Sequence, residues 1–172
     1  VFQYSKKIKI PEAKIASLLN KKSNKTISKS LPRCSNLNYK HLCTGTHKFS
    51  NGAIYNGEFK NNKFDGFGSL IWKDGAKYVG QFKSDFANGK GTMFWANGNK
   101  YVGQHKNGKA NGKGIFTYAN GDEYEGEHKN DKAHGYGIMK WKNGDKYFGE
   151  HANGKANGKG TFVYSNGSKY VG

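Results

Sequence analysis

Tyr101-Val102-Gly103-Gln104-His105-Lys106-Asn107-Gly108-Lys109-Ala110-Asn111-Gly112-Lys113-Gly114-Ile115-Phe116-Thr117-Tyr118-Ala119-Asn120-Gly121-Asp122-Glu123 is one turn of a clock. A tyrosine stands at Tyr55, Tyr78, Tyr101, Tyr124, Tyr147 and Tyr170, each 23 residues from the next and each followed two positions later by glycine. Self-similarity at a fixed period marks a repeat architecture, in which one supersecondary unit is copied and each copy buries its face against its neighbours. Two strands and two turns fit within the stretch. The first strand is expected over 101–106, Asn107-Gly108 makes a tight turn, the second strand covers 112–118, and Asn120-Gly121 leads into the next copy. Asn and Gly tolerate the positive φ that hairpin turns demand. The expected fold is all-β, an elongated single-layer antiparallel sheet of consecutive hairpins.

Side-chain parity assigns the faces, because alternate strand residues share a side. One face collects the tyrosines, the glycines and a ring residue (Phe59, Phe82, His105, His128, His151). From each second strand it adds an apolar residue (Leu70, Met93, Phe116, Met139, Phe162) and a large ring (Trp72, Trp95, Tyr118, Trp141, Tyr164). The other face carries mainly Glu or Gln with Lys, interrupted by Ile71, Phe94 and Phe148. Glycines in strand interiors leave nothing to pack. Beside bulky groups they make room for rings to lie flat over the neighbouring strand. A buried ring covers roughly 150–250 Å², which replaces part of a conventional core. With strands about 4.8 Å apart, five hairpins make a ribbon on the order of 50 Å long.

The frame Tyr124-Glu125-Gly126-Glu127-His128-Lys129-Asn130-Asp131-Lys132-Ala133-His134-Gly135-Tyr136-Gly137, closed by Trp141-Lys142-Asn143-Gly144-Asp145, closely resembles the MORN repeat, the membrane occupation and recognition nexus module. The resemblance covers 55–172, as five complete copies and the start of a sixth. A degenerate half copy occupies 45–54, where Gly45 takes the second hairpin glycine's place, Phe49 the ring slot and Asn51-Gly52 the turn. Cys43 replaces the first glycine there, so pairing is expected to begin raggedly.

Composition agrees with an array whose rings carry the packing. Of 172 residues, 25 are Gly and 15% aromatic, while only 34% are hydrophobic. No apolar run approaches the about 18 residues that span a bilayer, and a secretory leader is not expected. Cys34 and Cys43 form no metal or redox motif and are read as reduced thiols. The chain opens on Val1 and ends inside a repeat, so it reads as part of a longer protein.

The net charge is +17, and nine lysines with Arg33 stand against Glu12 within 1–44. That stretch is expected to be a basic, largely extended arm with one short helix near 11–19, opened by Pro11 and closed by Asn20. Lys6, Lys7, Lys9, Lys21, Lys22 and Lys25 are its candidate contacts for an acidic partner. Acidic protein surfaces and anionic lipid fit. Nucleic acid fits least, because of the 29 Lys and Arg residues only Arg33 supplies a bidentate fork.

Catalytic and metal chemistry find no constellation. His105, His128 and His151 recur two strands apart, about 10 Å, whereas imidazoles on one zinc each sit about 2.1 Å from the metal. Gly89-Lys90-Gly91-Thr92 and Gly158-Lys159-Gly160-Thr161 lack the helix that a phosphate loop opens. No catalytic, cofactor-binding or metal residue is assigned, and no cofactor is expected.

The expected function is a non-catalytic scaffold for protein–protein interaction. The ring-face residues Tyr55, Trp72, Tyr78, Trp95, Tyr101, Tyr118, Tyr124, Trp141, Tyr147 and Tyr164 are the candidate partner surface, and a homodimer across that face is possible. What the resemblance adds is a setting, because MORN arrays occur in radial spoke heads, other axonemal parts and protist cytoskeletal scaffolds. It implies a cytoplasmic, cytoskeleton-associated location, including the cilium. It also implies two alternatives: an anionic-phospholipid (phosphoinositide) binding module, and a regulatory region of a larger lipid kinase or methyltransferase.

Overall fold

A computed structural model describes residues 31–35, 38 and 40–172. The helix expected near 11–19 and the arm contacts Lys6, Lys7, Lys9, Lys21, Lys22 and Lys25 lie outside them. Twelve strands follow one another: β1 (Cys43–Lys48), β2 (Ile54–Lys60), β3 (Lys63–Ile71), β4 (Lys77–Lys83), β5 (Phe86–Phe94), β6 (Lys100–Lys106), β7 (Lys109–Thr117), β8 (Glu123–Lys129), β9 (Lys132–Lys140), β10 (Lys146–Ala152), β11 (Lys155–Val163) and β12 (Lys169–Val171). Each pairs antiparallel with the next, so sheet order equals chain order. The single open antiparallel sheet expected from the repeat is therefore observed, and no helix occurs among the described residues.

Local chemistry explains the hairpins. Asn107 and Gly108 both have positive φ, 51° and 80°, which is the two-residue turn whose twist matches the flanking strands. Ser84-Asp85 and Asn130-Asp131 adopt the same conformation without glycine. The aspartates earn their place by reaching back one repeat. Asp85 Oδ1 accepts from Phe64 N–H at 2.8 Å and Asp131 Oδ1 accepts from Ala110 N–H at 2.7 Å. At the opposite edge Asn99, Asp122 and Asp145 accept from Ala119, Lys142 and Ser165 N–H at 2.8–2.9 Å. Both rims of the ribbon are thus stitched from copy to copy.

The second strand starts earlier than the 112–118 span expected from sequence. Lys109 and Ala110 still pair with Lys106 and His105, after which a bulge opens before Gly114 meets Gly103. Gly112 sits in that bulge at φ 101°, with the Gln104 side chain folded over it and Gln104 Oε1 accepting from Lys113 N–H at 3.0 Å. A bulge strengthens local twist and leaves residues unpaired; the glutamine takes up one of the freed donors. Ala110, outside the expected strand, is buried in consequence.

The core follows the sheet's ring face. Tyr55 stacks on Phe64 at 3.8 Å and meets Phe59 and Phe82 edge-on at 5.2 and 5.1 Å. From β5 onward alanines take the slot of Phe64, and from β6 onward histidines take that of Phe59 and Phe82, so the packing thins along the chain. Tyr101 then lies edge-on between His105 and His128, at 5.1 and 4.7 Å.

Two expectations about the start of the array are corrected. β1 pairs with β2 over its whole length, Cys43 to Lys48, with no ragged entry. Cys34 and Cys43 are joined in a disulfide rather than held as free thiols. Cys34 Sγ lies over Gly45. In each later copy the equivalent glycine, Gly68, Gly91, Gly114, Gly137 or Gly160, lies under a tyrosine ring. Pro32 holds the place of that tyrosine in the first copy, so the disulfide fills the gap. The covering segment is pinned by Cys34 N–H donating to Thr44 O and Thr44 N–H donating to Pro32 O, at 2.9 and 2.8 Å, in a parallel bridge. It partly blunts an open edge that would otherwise present unpaired backbone groups. The compact unit carrying the array runs from Leu31 to Gly172, so 31–35, assigned from sequence to the arm, belongs with the repeats. Replacing both cysteines by serine is expected to lower stability by about 2–3 kcal/mol, from a closed loop of ten or so residues. Exchange of the β1 amides should rise first, and unchanged protection there would count against the clamp.

Candidate functional site

The sheet presents two different faces, and the sequence-expected contacts divide between a buried row and a half-open one. Tyr55, Tyr78, Tyr101 and Tyr124 are 0–2% exposed. Each ring lies over a glycine pair, as Tyr101 does over Gly103 and Gly114. Each hydroxyl turns back to its own strand: Tyr101 O–H donates to Gln104 O and Tyr124 O–H to Glu127 O, both at 3.0 Å. Burial pushes these phenols above their ordinary range, Tyr78 and Tyr124 to about 12. The tyrosines expected to meet a partner are therefore covered by the chain itself; Tyr147 is only half-buried. They hold the sheet together and offer a partner almost no area.

The outer rings form the accessible row. Trp72, Trp95 and Trp141 are half-buried, while Tyr118 and Tyr164 are 39% and 45% exposed. Trp95 packs on Phe116 at 5.3 Å and Phe116 on Tyr118 at 4.6 Å; Trp141, Phe162 and Tyr164 repeat the pattern at 5.2 and 4.7 Å. This staircase along one rim recurs with the repeat, so a long ligand meets the same surface several times.

Between tyrosines lie the three histidines, 5–7% exposed. His151 Nδ1 is 3.1 Å from Gly149 O, while the Nδ1 atoms of His105 and His128 are buried without a hydrogen bond. Burial lowers all three pKa values, and the nearby carbonyls of Gly103, Gly126 and Gly149 offset it only in part. Among the described residues no group of three or more His, Cys, Asp or Glu is placed to hold a metal ion.

The second face was read from sequence as charged with apolar interruptions. Its register reveals a row that takes in Phe148 but not Ile71 or Phe94, which stand opposite Lys77. Val79, Thr92, Val102, Ile115, Glu125, Ile138 and Phe148 lie directly opposite one another on successive strands, a single row running across the sheet. Glu123 opens β8, and Lys140 Nζ bridges it and Glu125 at 2.8 and 3.2 Å. The signal lay in residues of opposite parity on both strands of each copy, but the row emerges only once the pairing is known.

Comparison with known proteins agrees with this geometry. A family model of the MORN repeat matches residues 55–77, 78–100, 101–123, 124–146 and 147–169. No curated protein matches the sequence. Among solved structures, the SAS-4 (dCPAP) TCP domain of Drosophila melanogaster, in complex with a proline-rich motif of Ana2 (dSTIL), is similar with a TM-score of 0.44. Its identity is 10% over 85% of this chain and 86% of that one, too loose a likeness to argue from. MORN repeats are in general non-catalytic interaction or membrane-binding modules. Five contiguous matches spanning most of the described sheet make this chain a member of the MORN repeat family.

Proposed function

We propose that the array is a non-catalytic scaffold that holds other protein chains along its length within a cytoskeletal assembly, of the kind found in axonemes and radial spokes. The observation that carries this reading is the rim row of Trp72, Trp95, Tyr118, Trp141 and Tyr164, half-open and repeated once per copy. Aromatic residues set at regular intervals on a stiff support bring large contact area at little entropic cost, and such anchors dominate protein interfaces. The rim repeats along a sheet of twelve strands in chain order, which suits a long partner better than a small substrate.

The test is fractionation of the full chain. It is expected to sediment with detergent-insoluble cytoskeleton, and replacing Trp95 and Trp141 by serine should move most of it to the soluble fraction while the fold persists. Release of the unaltered chain with soluble cytosol and no stable partner would overturn the scaffold reading.

A further inference from the structure

We propose that the second face of the sheet is a docking surface for an acidic amphipathic helix of a partner protein, lying across the strands. This goes beyond the scaffold reading, which rests on the opposite face, and it stands or falls separately.

Charge is sorted completely between the faces. Each of the twelve strands places at least one lysine on the second face, and none places a lysine on the ring face. Three two-residue hairpins go further and set lysines directly opposite each other beside the turn, Lys60 with Lys63, Lys106 with Lys109 and Lys129 with Lys132, while Lys146 faces the ion-paired Lys140. Like charges in cross-strand register destabilise a sheet. No ion pair among the described residues offsets them. Among the described residues the only ion pairs are those of Lys140 with Glu123 and Glu125. The carboxylates of Glu58, Glu127 and Glu150 fold over the bulge glycines Gly66, Gly135 and Gly158. The acids of this face are thus occupied within the hairpins while the lysine pairs stand uncompensated. An anionic partner supplies what the described residues do not.

The row between the lysines selects the kind of anion. Val79, Val102, Ile115 and Ile138 are half-buried, and Phe148 is 40% exposed. A partner that fits needs an apolar stripe flanked on both sides by acids, which is the pattern of an amphipathic helix. The spacing agrees. Two strands advance about 9.6 Å across the sheet and one heptad of helix rises about 10.5 Å, so successive apolar ridges fall near successive hairpins. A bilayer fits less well. The row itself offers a bilayer one large exposed side chain, Phe148, and Glu125 interrupts it where a uniformly anionic surface would meet it. A polypeptide can place a basic residue there.

The experiment uses the full chain and two synthetic peptides of about 28 residues, roughly 42 Å long as helices. One has leucine at heptad a and d positions with glutamate flanking them; the other has the same composition in scrambled order. At about 0.15 M salt the patterned peptide is expected to bind at least about tenfold tighter than the scrambled one. Replacing Lys106, Lys109, Lys129 and Lys132 by glutamine should weaken it about tenfold or more. The same variant should melt no lower than the unaltered chain, because repulsion has been removed. Ile115→Asp should also weaken binding, whereas Trp95→Ser on the other face should not. Equal affinity for both peptides would reduce the face to a plain polycation and overturn the proposal. So would binding to vesicles of phosphatidylcholine and phosphatidylserine with no binding of the patterned peptide, which would assign the face to membranes.

Discussion

Gly114→Ala is expected to be the most damaging small substitution in the array, costing about 3–5 kcal/mol, the range for losing a buried large side chain. Gly114 has an ordinary extended backbone, so space alone decides the outcome. A Cβ there would stand 2.4–2.5 Å from the Tyr101 hydroxyl and ring carbons. The ring has little room to slide along the strand, because His105 and His128 pack against it edge-on at 5.1 and 4.7 Å and its hydroxyl is tied to Gln104 O at 3.0 Å. Tyr101 must lift, exposing a ring that is now fully buried and giving up its hydrogen bond to Gln104 O. Gly75→Ala is the comparison. It sits at φ 88° in a loop with nothing within 4 Å of its Cβ, so only backbone strain of about 1–2 kcal/mol is felt. Urea unfolding of the two variants separates them. Because each copy contacts only its neighbours, amide exchange should rise around β6 and β7 before it spreads. Equal losses at Gly114 and Gly75 would mean that the ring is not seated on the glycine pair.

Acid is expected to destabilise the array over a range where most proteins are indifferent. His105, His128 and His151 are buried with lowered pKa, so the folded chain favours neutral imidazole while the unfolded chain titrates near about 6.5. The folded state binds fewer protons, so stability rises with pH. The contribution is fully present above about pH 6.5 and is lost as pH falls through the depressed folded values. The facing groups do not reverse the sign. Asp131 favours the charged form of His105 and His128, but burial outweighs it, and His105 further disfavours charging of His128. Rings on both sides, Tyr78 and Tyr101 at 4.9 and 5.1 Å from His105, leave a new cation little water.

Thermal melts between about pH 7.5 and 5 should therefore fall steadily. Replacing the three histidines by phenylalanine should flatten the profile and stabilise the protein by about 1–3 kcal/mol at each site with an unsatisfied Nδ1. Phe59 and Phe82 already fill the same slot in earlier copies. A triple variant that keeps the slope would transfer the effect to the carboxylates.

How much of this was legible beforehand differs between residues that repeat and residues that deviate. The tyrosine period, the Asn-Gly turns and the strand parity placed Tyr101, Gly103, His105 and Gly114 on one face before any coordinates. The bulge at Gly112 was not legible. Its cause is the Gln104 side chain returning to Lys113 N–H, a contact between strands whose register was unknown. Nor was the fate of the ring residues: Tyr101 and Trp95 read alike as large aromatics, yet one is sealed over a glycine pair and the other stays half-open at the rim.

What the sequence by itself determined is the architecture, because a hairpin repeat is local: each strand pairs with the next, and period, parity and turn chemistry are all written within 23 residues. What only the tertiary structure decided is everything that depends on which residues stand opposite one another. It joined Cys34 to Cys43 over Gly45, where the first copy lacks its tyrosine. It lined up Val79, Val102, Ile115 and Phe148 into a row and set Lys106 against Lys109. The physical reason is that a one-residue slip in register sends every side chain to the other face, so neighbours across strands have no address in the sequence until the bulges and turns have set the pairing.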